Sequence, residues 1–247
     1  ALGLRDEYST IVKRLMNEID SAEADAIEKA ADAIATTVNA GGVLHVFGAG
    51  HSHMLAEEIF YRAGGLVPVN AIFDSGLMPH SGAARSTLLE RLPGYAAAIM
   101  GDHETSAGEP IVIVSYSGIN PVPIEVALEA RARSLVVIAL TSVQASAAAR
   151  PRHPSGNRLY ELADVVLDNH APPGDALVDV PGYPGLRTGP VSTILGAYIL
   201  NNVIVRAVEK LAGMGQEPPV FTSANVPGSA ERNAWLISHY RRQVKSF

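Results

Sequence analysis

Apolar residues recur at helical spacing over residues 1–40, and beyond them the pattern changes to short unbroken runs. Tyr8, Ile11, Val12, Leu15 and Ile19 share one helix face, and Ile27, Ala30, Ala31, Ile34 and Val38 share another. Ser21 is a residue type that caps helices and stands before the second segment, which Gly41-Gly42 ends. Lys13, Asp25 and Lys29 take other positions, so both helices are amphipathic and need a surface, either of the same domain or of a second subunit. Strand-type runs then cover 43–47, 66–73 (interrupted by Pro68), 111–114, 135–140 and 165–167. Helical periodicity from Met54 to Ala63 follows the first run, and a short helix from Ser86 to Leu92 follows the second. Pro121 suits the first turn of a helix through Ala132. A long helix from Val191 to about Ala212 and a last one from Ser229 to Arg242 complete the pattern.

Runs buried on both faces with helices between them predict an α/β fold, a parallel sheet covered on each side. The expected organisation is an N-terminal helical segment, 1–40, attached to a domain over 41–247, the whole forming one structural unit. Pro- and Gly-rich stretches at 150–156 and 171–190 are expected to be ordered loops over a site. With 47% hydrophobic and 18% charged residues in 247, the chain has ample material for a core. A net charge of −6 argues against a nucleic-acid backbone as partner. Cysteine is absent, which excludes disulfides and thiolate metal sites. Arg5, Asp6 and Glu7 stand where a signal peptide would be apolar, and no apolar stretch is long enough for a membrane helix. A soluble, cytoplasmic protein is expected.

Candidate chemistry concentrates in two loops. In an open parallel sheet, ligands bind beyond the carboxyl ends of the strands, where neighbouring connections diverge. Gly48-Ala49-Gly50-His51-Ser52 follows the first run, and Ser115-Tyr116-Ser117-Gly118-Ile119-Asn120 follows the third. Glycines admit a ligand close to the backbone, and helix starts offer unpaired amides. With Ser52, Ser115, Ser117 and Asn120 these loops suit a phosphate held without metal or lysine. Ser52 and Asn120 are also ordinary helix-capping residues, so each loop alone has a purely structural explanation. The rival is a dinucleotide site, since Gly48 and Gly50 begin a GxGxxG pattern and Asp74 ends the second run. His53 in place of its third glycine counts against NAD, and no P-loop motif occurs.

These residues resemble the SIS (sugar isomerase) domain family. Phe47–Ser52 and Ser115–Asn120 are similar to its two phosphate loops, and Ala139-Leu140-Thr141-Ser142 and Pro190-Val191-Ser192-Thr193 also fit. The stretches 51–58, 152–156 and 171–175 resemble a bacterial branch whose members are labelled phosphoheptose isomerases. The resemblance implies a three-layer αβα sandwich with a five-stranded, flavodoxin-like parallel sheet, and a homodimer or homotetramer with the site near a subunit interface. It implies a phosphorylated sugar as ligand, bound by Gly48, Gly50, His51, Ser52, Ser115, Ser117, Gly118 and Asn120, with no cofactor or metal. The catalytic pattern departs. Phosphoheptose isomerases carry a histidine six residues and a glutamate ten residues after the first-loop serine, where this chain has Glu58 and Arg62. Muramic acid phosphate etherases also use that glutamate. Arabinose 5-phosphate isomerases carry His-Pro-Gly-Gly, where the nearest match here is Asn225-Val226-Pro227-Gly228.

Aldose–ketose isomerisation passes through an enediol and needs a base beside the carbonyl, usually a desolvated carboxylate. Glu57 and Glu58 flank the apolar face of the helix leaving the first loop, and Glu58 occupies the functional family position. His80 in the loop after the second run and Glu90 on the following helix are the other candidates. A salt-bridged surface glutamate and a capping histidine are the ordinary alternatives for each. His51 and His53 without further ligands make a poor metal motif. His45, inside a strand, reads as a hydrogen-bonded core histidine, and His153 and His170 lie in candidate covering loops. The first functional reading is a sugar-phosphate isomerase; the others are a non-catalytic sugar-phosphate sensor and an etherase-like lyase.

Overall fold

The computed structural model describes residues 3–247. Two amphipathic helices, α1 (Leu4–Ala22) and α2 (Ala24–Asn39), precede β1 (Leu44–Gly48) and α3 (His53–Ile59). After β2 (Val69–Ile72) come α4 (Ala83–Glu90), α5 (Tyr95–Gly101) and β3 (Pro110–Val114). The chain continues through α6 (Pro121–Ala132), β4 (Val136–Thr141), α7 (Val143–Ala148) and β5 (Val165–Asp168). A hairpin, β6 (Ala176–Asp179) and β7 (Arg187–Pro190), leads into the long α8 (Ser192–Gly213), and α9 (Ser229–Tyr240) follows. No helix among the described residues is long and apolar enough to cross a membrane.

The five main strands pair in parallel in the order β2-β1-β3-β4-β5. Alternation along each strand feeds two separate cores. Leu44 and Val46 of β1, Val112 and Val114 of β3, and Ile138 and Leu140 of β4 face one side, where α1, α2, α3 and α8 pack. Phe47, Ile111, Ile113, Val137 and Ala139 face the other, against α5 and α6. This is the three-layer sandwich expected. Ile19, Ala30, Ala31 and Ile34 are fully buried, so the first two helices lie on the domain's own core.

Several local expectations differ from what is observed. Ser21 does not cap α2; its hydroxyl donates to the Glu18 carbonyl inside α1, and the break falls at Glu23. The helix after the first loop stops at Ile59, because Phe60 turns extended and Tyr61 takes φ +47. The 171–190 segment holds a two-stranded antiparallel hairpin rather than loop alone.

His45 has the core role expected of it. It is fully buried, its Nε2 lies 2.8 Å from Glu109 Oε2, and its Nδ1 lies 3.0 Å from the Asn70 amide nitrogen. Asn70 Oδ1 in turn accepts from the Lys245 backbone at 3.2 Å, tying the C-terminal segment to the start of the sheet.

Candidate functional site

β1 and β3 are neighbours, but β1 connects outward to β2 and β3 to β4, so the strand order reverses between them. The two serine loops leave the carboxyl ends of this pair and meet at that switch point. Both are shaped by glycine. A Cβ on Gly48 would sit 2.5 Å from the Ser52 carbonyl carbon and 2.9 Å from His53 N, so the loop folds back onto its own strand. Gly118 takes φ +57, with Thr141 Oγ1 3.0 Å and Leu159 Cβ 3.1 Å from where a Cβ would stand. Gly118 N donates to Ser115 Oγ at 3.1 Å, which closes the second loop and commits that hydroxyl to backbone support.

Beyond the loops opens a cleft of about 830 Å³. Gly50, His51, Ser52, Ser115, Ser117, Asn120 and Glu90 all line it. Gly48 and Gly118 are loop formers behind it. The site also draws on residues that sequence patterning had not singled out as ligands. Tyr8 of α1 enters from one side, its hydroxyl donating to the Pro190 carbonyl at 2.8 Å. Asp175 lines the wall, but its carboxylate is engaged: Oδ1 accepts from the amides of Val191 and Ser192 at 3.1 and 2.8 Å, and Oδ2 from the Ser192 hydroxyl at 2.8 Å. Tyr116 accepts from Asp175 N at 2.9 Å and donates to Pro172 O at 2.6 Å, which fastens the 172–175 turn to the second loop. Asn169 completes the wall. Tyr8 carried only a helix-face signal, and the Asp175 contacts span loops that no local pattern connects.

The catalytic candidates separate. Glu90, at the end of α4, lines the cleft. Burial raises its carboxyl above the ordinary carboxylate range, outweighing the opposing pull of the nearby Asn120 amide and of the positive charges of Arg91 and Arg152. Glu58 is not brought into the cleft. Its carboxylate pairs with Arg62 and accepts from Asn201 Nδ2 at 2.9 Å, beside a separate small pocket formed with Gly64 and Gly65. The ordinary salt bridge therefore describes it in a single chain. His80 is exposed on a short turn outside the lining, its ring centroid 5.8 Å from that of His53. His53 is buried and held by the Gly50 carbonyl at 2.5 Å. His51 is exposed at the cleft. His170 meets Glu23 at 2.8 Å and His153 lies 3.5 Å from Glu125, both away from the cleft lining.

Asp74, the acid that a dinucleotide reading needs for a ribose, accepts from Leu77 N at 3.2 Å and from the Tyr95 hydroxyl at 3.0 Å. Its oxygens thus serve the local turn. Among the described residues no group of three His, Asp or Glu side chains is arranged to hold a metal ion.

Comparison with known proteins agrees with this fold. The model of the SIS domain matches residues 7–142, starting inside α1. The UPF0309 protein of Geobacillus thermodenitrificans is 42% identical over 239 residues, covering 97% of this chain and 96% of its own. That of Listeria innocua is 41% identical over 239 residues, with 97% and 96% covered. Among solved structures, a phosphoheptose isomerase from Francisella tularensis superposes with a TM-score of 0.53 at 18% identity, covering 82% of this chain and 93% of its own. The Vibrio vulnificus NanR protein complexed with ManNAc-6P gives 0.53 at 15% identity, with 96% and 69% covered. At these identities the two structures speak for the fold.

Proposed function

Because the chain belongs to the SIS domain family, we propose that it is an aldose–ketose isomerase of a sugar phosphate or amino-sugar phosphate. The observation that carries this reading is that a carboxyl group, Glu90, lines the same cleft as Ser52, Ser115 and Ser117. The phosphate lies against the two glycine-shaped loops and takes hydrogen bonds from the Ser52 and Ser117 hydroxyls, with Ser115 holding the second loop in shape. This fixes the far end of the sugar, so that its carbonyl end reaches Glu90.

The chemistry follows from that placement. The Glu90 carboxylate takes the proton from the carbon beside the carbonyl. The released C–H electron pair becomes the enediol double bond, and the carbonyl oxygen gains a proton from solvent or from His51 at the cleft. Return of the proton from Glu90 to the neighbouring carbon, with loss of the other hydroxyl proton, completes the isomerisation. A carboxyl with a raised pKa is the stronger base for the step. Met54 and Ile194 are large apolar side chains, 44% and 41% exposed, at the edge of the cleft. A second copy in a homodimer or homotetramer would cover them and dry the site. A phosphorylated metabolite implies a cytoplasmic protein.

The test is turnover of a panel of aldose and ketose phosphates by wild type and Glu90→Gln. Wild type is expected to interconvert at least one pair, and Glu90→Gln to bind it with turnover abolished. Full turnover in the variant removes Glu90 as the base. Binding without turnover by wild type favours a sensor, and release of a side chain from a muramic acid phosphate favours a lyase.

A further inference from the structure

β5 ends in a turn, Asp168-Asn169-His170-Ala171, whose polar atoms are engaged one after another. Asn169 N donates to the Thr141 carbonyl at 2.9 Å. Asp168 Oδ1 accepts from Val143 N at 3.1 Å and from His170 N at 2.9 Å. Gln144 Nε2 donates to the His170 carbonyl at 2.9 Å, and the Ser142 hydroxyl to the Ala171 carbonyl at 2.6 Å. The exception is the side chain of Asn169, a residue only 3% exposed that lines the cleft. Its Oδ1 accepts from Ala171 N at 3.0 Å, which fixes the amide and turns the NH₂ end the other way. Among the described residues nothing accepts from that NH₂, and it is not sealed from solvent as the Ser146 and Ser229 hydroxyls are. A nearly buried amide donor left open to a cleft marks a place for a ligand oxygen.

The turn is held from far along the chain. Glu23, buried at the break between α1 and α2, accepts from Asp168 N through Oε2 at 3.0 Å. Its Oε1 lies 2.8 Å from His170 Nε2, and a carboxylate only accepts, so that nitrogen carries the proton. His170 takes φ +55, a conformation that a residue with a Cβ keeps only where its surroundings hold it. Asp168 and His170 flank Asn169, so Glu23 grips the turn on both sides of the free amide.

From these contacts, and resting on the phosphate placement proposed above, we propose that Asn169 is a ligand of the phosphate from a third strand end. Glu23 and His170 are the positioning residues that aim it. Among the described residues lining the cleft there is no lysine or arginine, so a phosphate dianion must be held by neutral donors and each fixed one counts. Strand order decides which end of the sugar phosphate Asn169 meets. Glu90 follows β2 at one edge of the sheet and Asn169 follows β5 at the other, with the serine loops of β1 and β3 between them. A carbonyl end directed at Glu90 leaves the phosphate end toward Asn169.

The test is an NMR titration of the ¹⁵N-labelled chain with inorganic phosphate. The Asn169 side-chain amide signal, assigned by its loss in Asn169→Ala, is expected to shift together with the Ser117 backbone amide. Asn169→Ala is expected to weaken phosphate roughly tenfold to a hundredfold. Asn169→Asp keeps an oxygen for Ala171 N and replaces the donor by a negative charge, so it should weaken phosphate further at a near-native melting temperature. His170→Gly suits φ +55 but removes the link to Glu23; phosphate should bind severalfold more weakly, with a smaller Asn169 shift at saturation. An Asn169 signal that stays still while Ser117 moves, or native affinity in Asn169→Ala and Asn169→Asp, overturns the ligand role and leaves the two-loop site standing. Native affinity and a native shift in His170→Gly overturn the positioning role. If neither amide moves, the two-loop phosphate reading falls and this proposal with it. If both move but wild type turns over no sugar phosphate, Asn169 stands and the isomerase reading falls.

Discussion

Gly48→Ala tests how closely the first loop folds over its strand. The added Cβ would lie 2.5 Å from the Ser52 carbonyl carbon and 2.9 Å from His53 N, and closer still to the Ser52 oxygen. These are backbone atoms and cannot rotate away, so Ser52 must retreat by roughly half an ångström for the carbon contact to reach even 3.0 Å. Overpacking of this kind costs about 1–3 kcal/mol, and rigid partners favour the upper half of that range. At about 2–4 °C per kcal/mol for a domain of this size, the melting temperature should fall by about 4–12 °C. If Ser52 holds the phosphate as proposed, displacing it also removes a hydrogen bond to a charged group, about 1.5–3 kcal/mol, or roughly tenfold to a hundredfold in phosphate affinity. Gly50→Ala is the control. Gly50 has φ +58 but open space around its Cβ position, so the cost there is the left-handed conformation alone, about 1–2 kcal/mol. Differential scanning calorimetry and phosphate titration of both variants decide the matter. A Gly48→Ala protein with native melting temperature and native phosphate affinity would refute the geometry of the loop.

Three further outcomes are expected. Burial raises the folded pKa of Glu90 above its ordinary 4.5, so the folded state holds that proton more tightly than the unfolded chain. Its ionisation thus lowers stability as pH rises from about 4.5 through the folded value. Glu90→Gln should therefore be at least as stable as wild type at pH 7 while inactive, checked by thermal denaturation beside an activity assay. His103 is buried and its pKa is lowered from 6.5 to about 4, chiefly by burial and then by Lys245. The unfolded chain then binds a proton between those values that the folded one refuses, so stability falls from pH 6.5 toward 4. Urea titrations should show a shallower acid loss in His103→Gln. Ile19 of α1 is fully buried, and Ile19→Ala should cost about 2–5 kcal/mol, a value near zero showing that α1 does not belong to this core.

The sheet was legible because its strands are buried on both faces, which writes them as continuous apolar runs such as Ile111–Val114 and Val136–Leu140. Gly-rich loops after β1 and β3 then suffice to locate the switch point. The β6–β7 hairpin was not legible, since Ala-Leu-Val-Asp and Arg-Thr-Gly-Pro show no sustained alternation and the second holds both Gly and Pro. α5 was also missed, because Tyr-Ala-Ala-Ala-Ile-Met-Gly is too short and too alanine-rich to show a face. At the site, the loops could be read locally, whereas the preference for Glu58 rested on a family position alone, since no local pattern ranks the catalytic candidates. Glu58 and Glu90 differ only in what surrounds them: Arg62 and Asn201 for one, Asn120 and Arg152 for the other. Those partners lie up to 143 residues away, and only packing brings them together.

The central claim is that the two serine loops form a phosphosugar site. Its most direct test is thermal stability of wild type and Ser117→Ala against a panel of sugar phosphates, each paired with its unphosphorylated sugar. At a hundred times the dissociation constant, a bound ligand should stabilise wild type by about 2.7 kcal/mol. A shift with a phosphorylated member, absent with its parent sugar and diminished in Ser117→Ala, is the predicted result. No shift with any phosphate, or a shift with NAD instead, would contradict it.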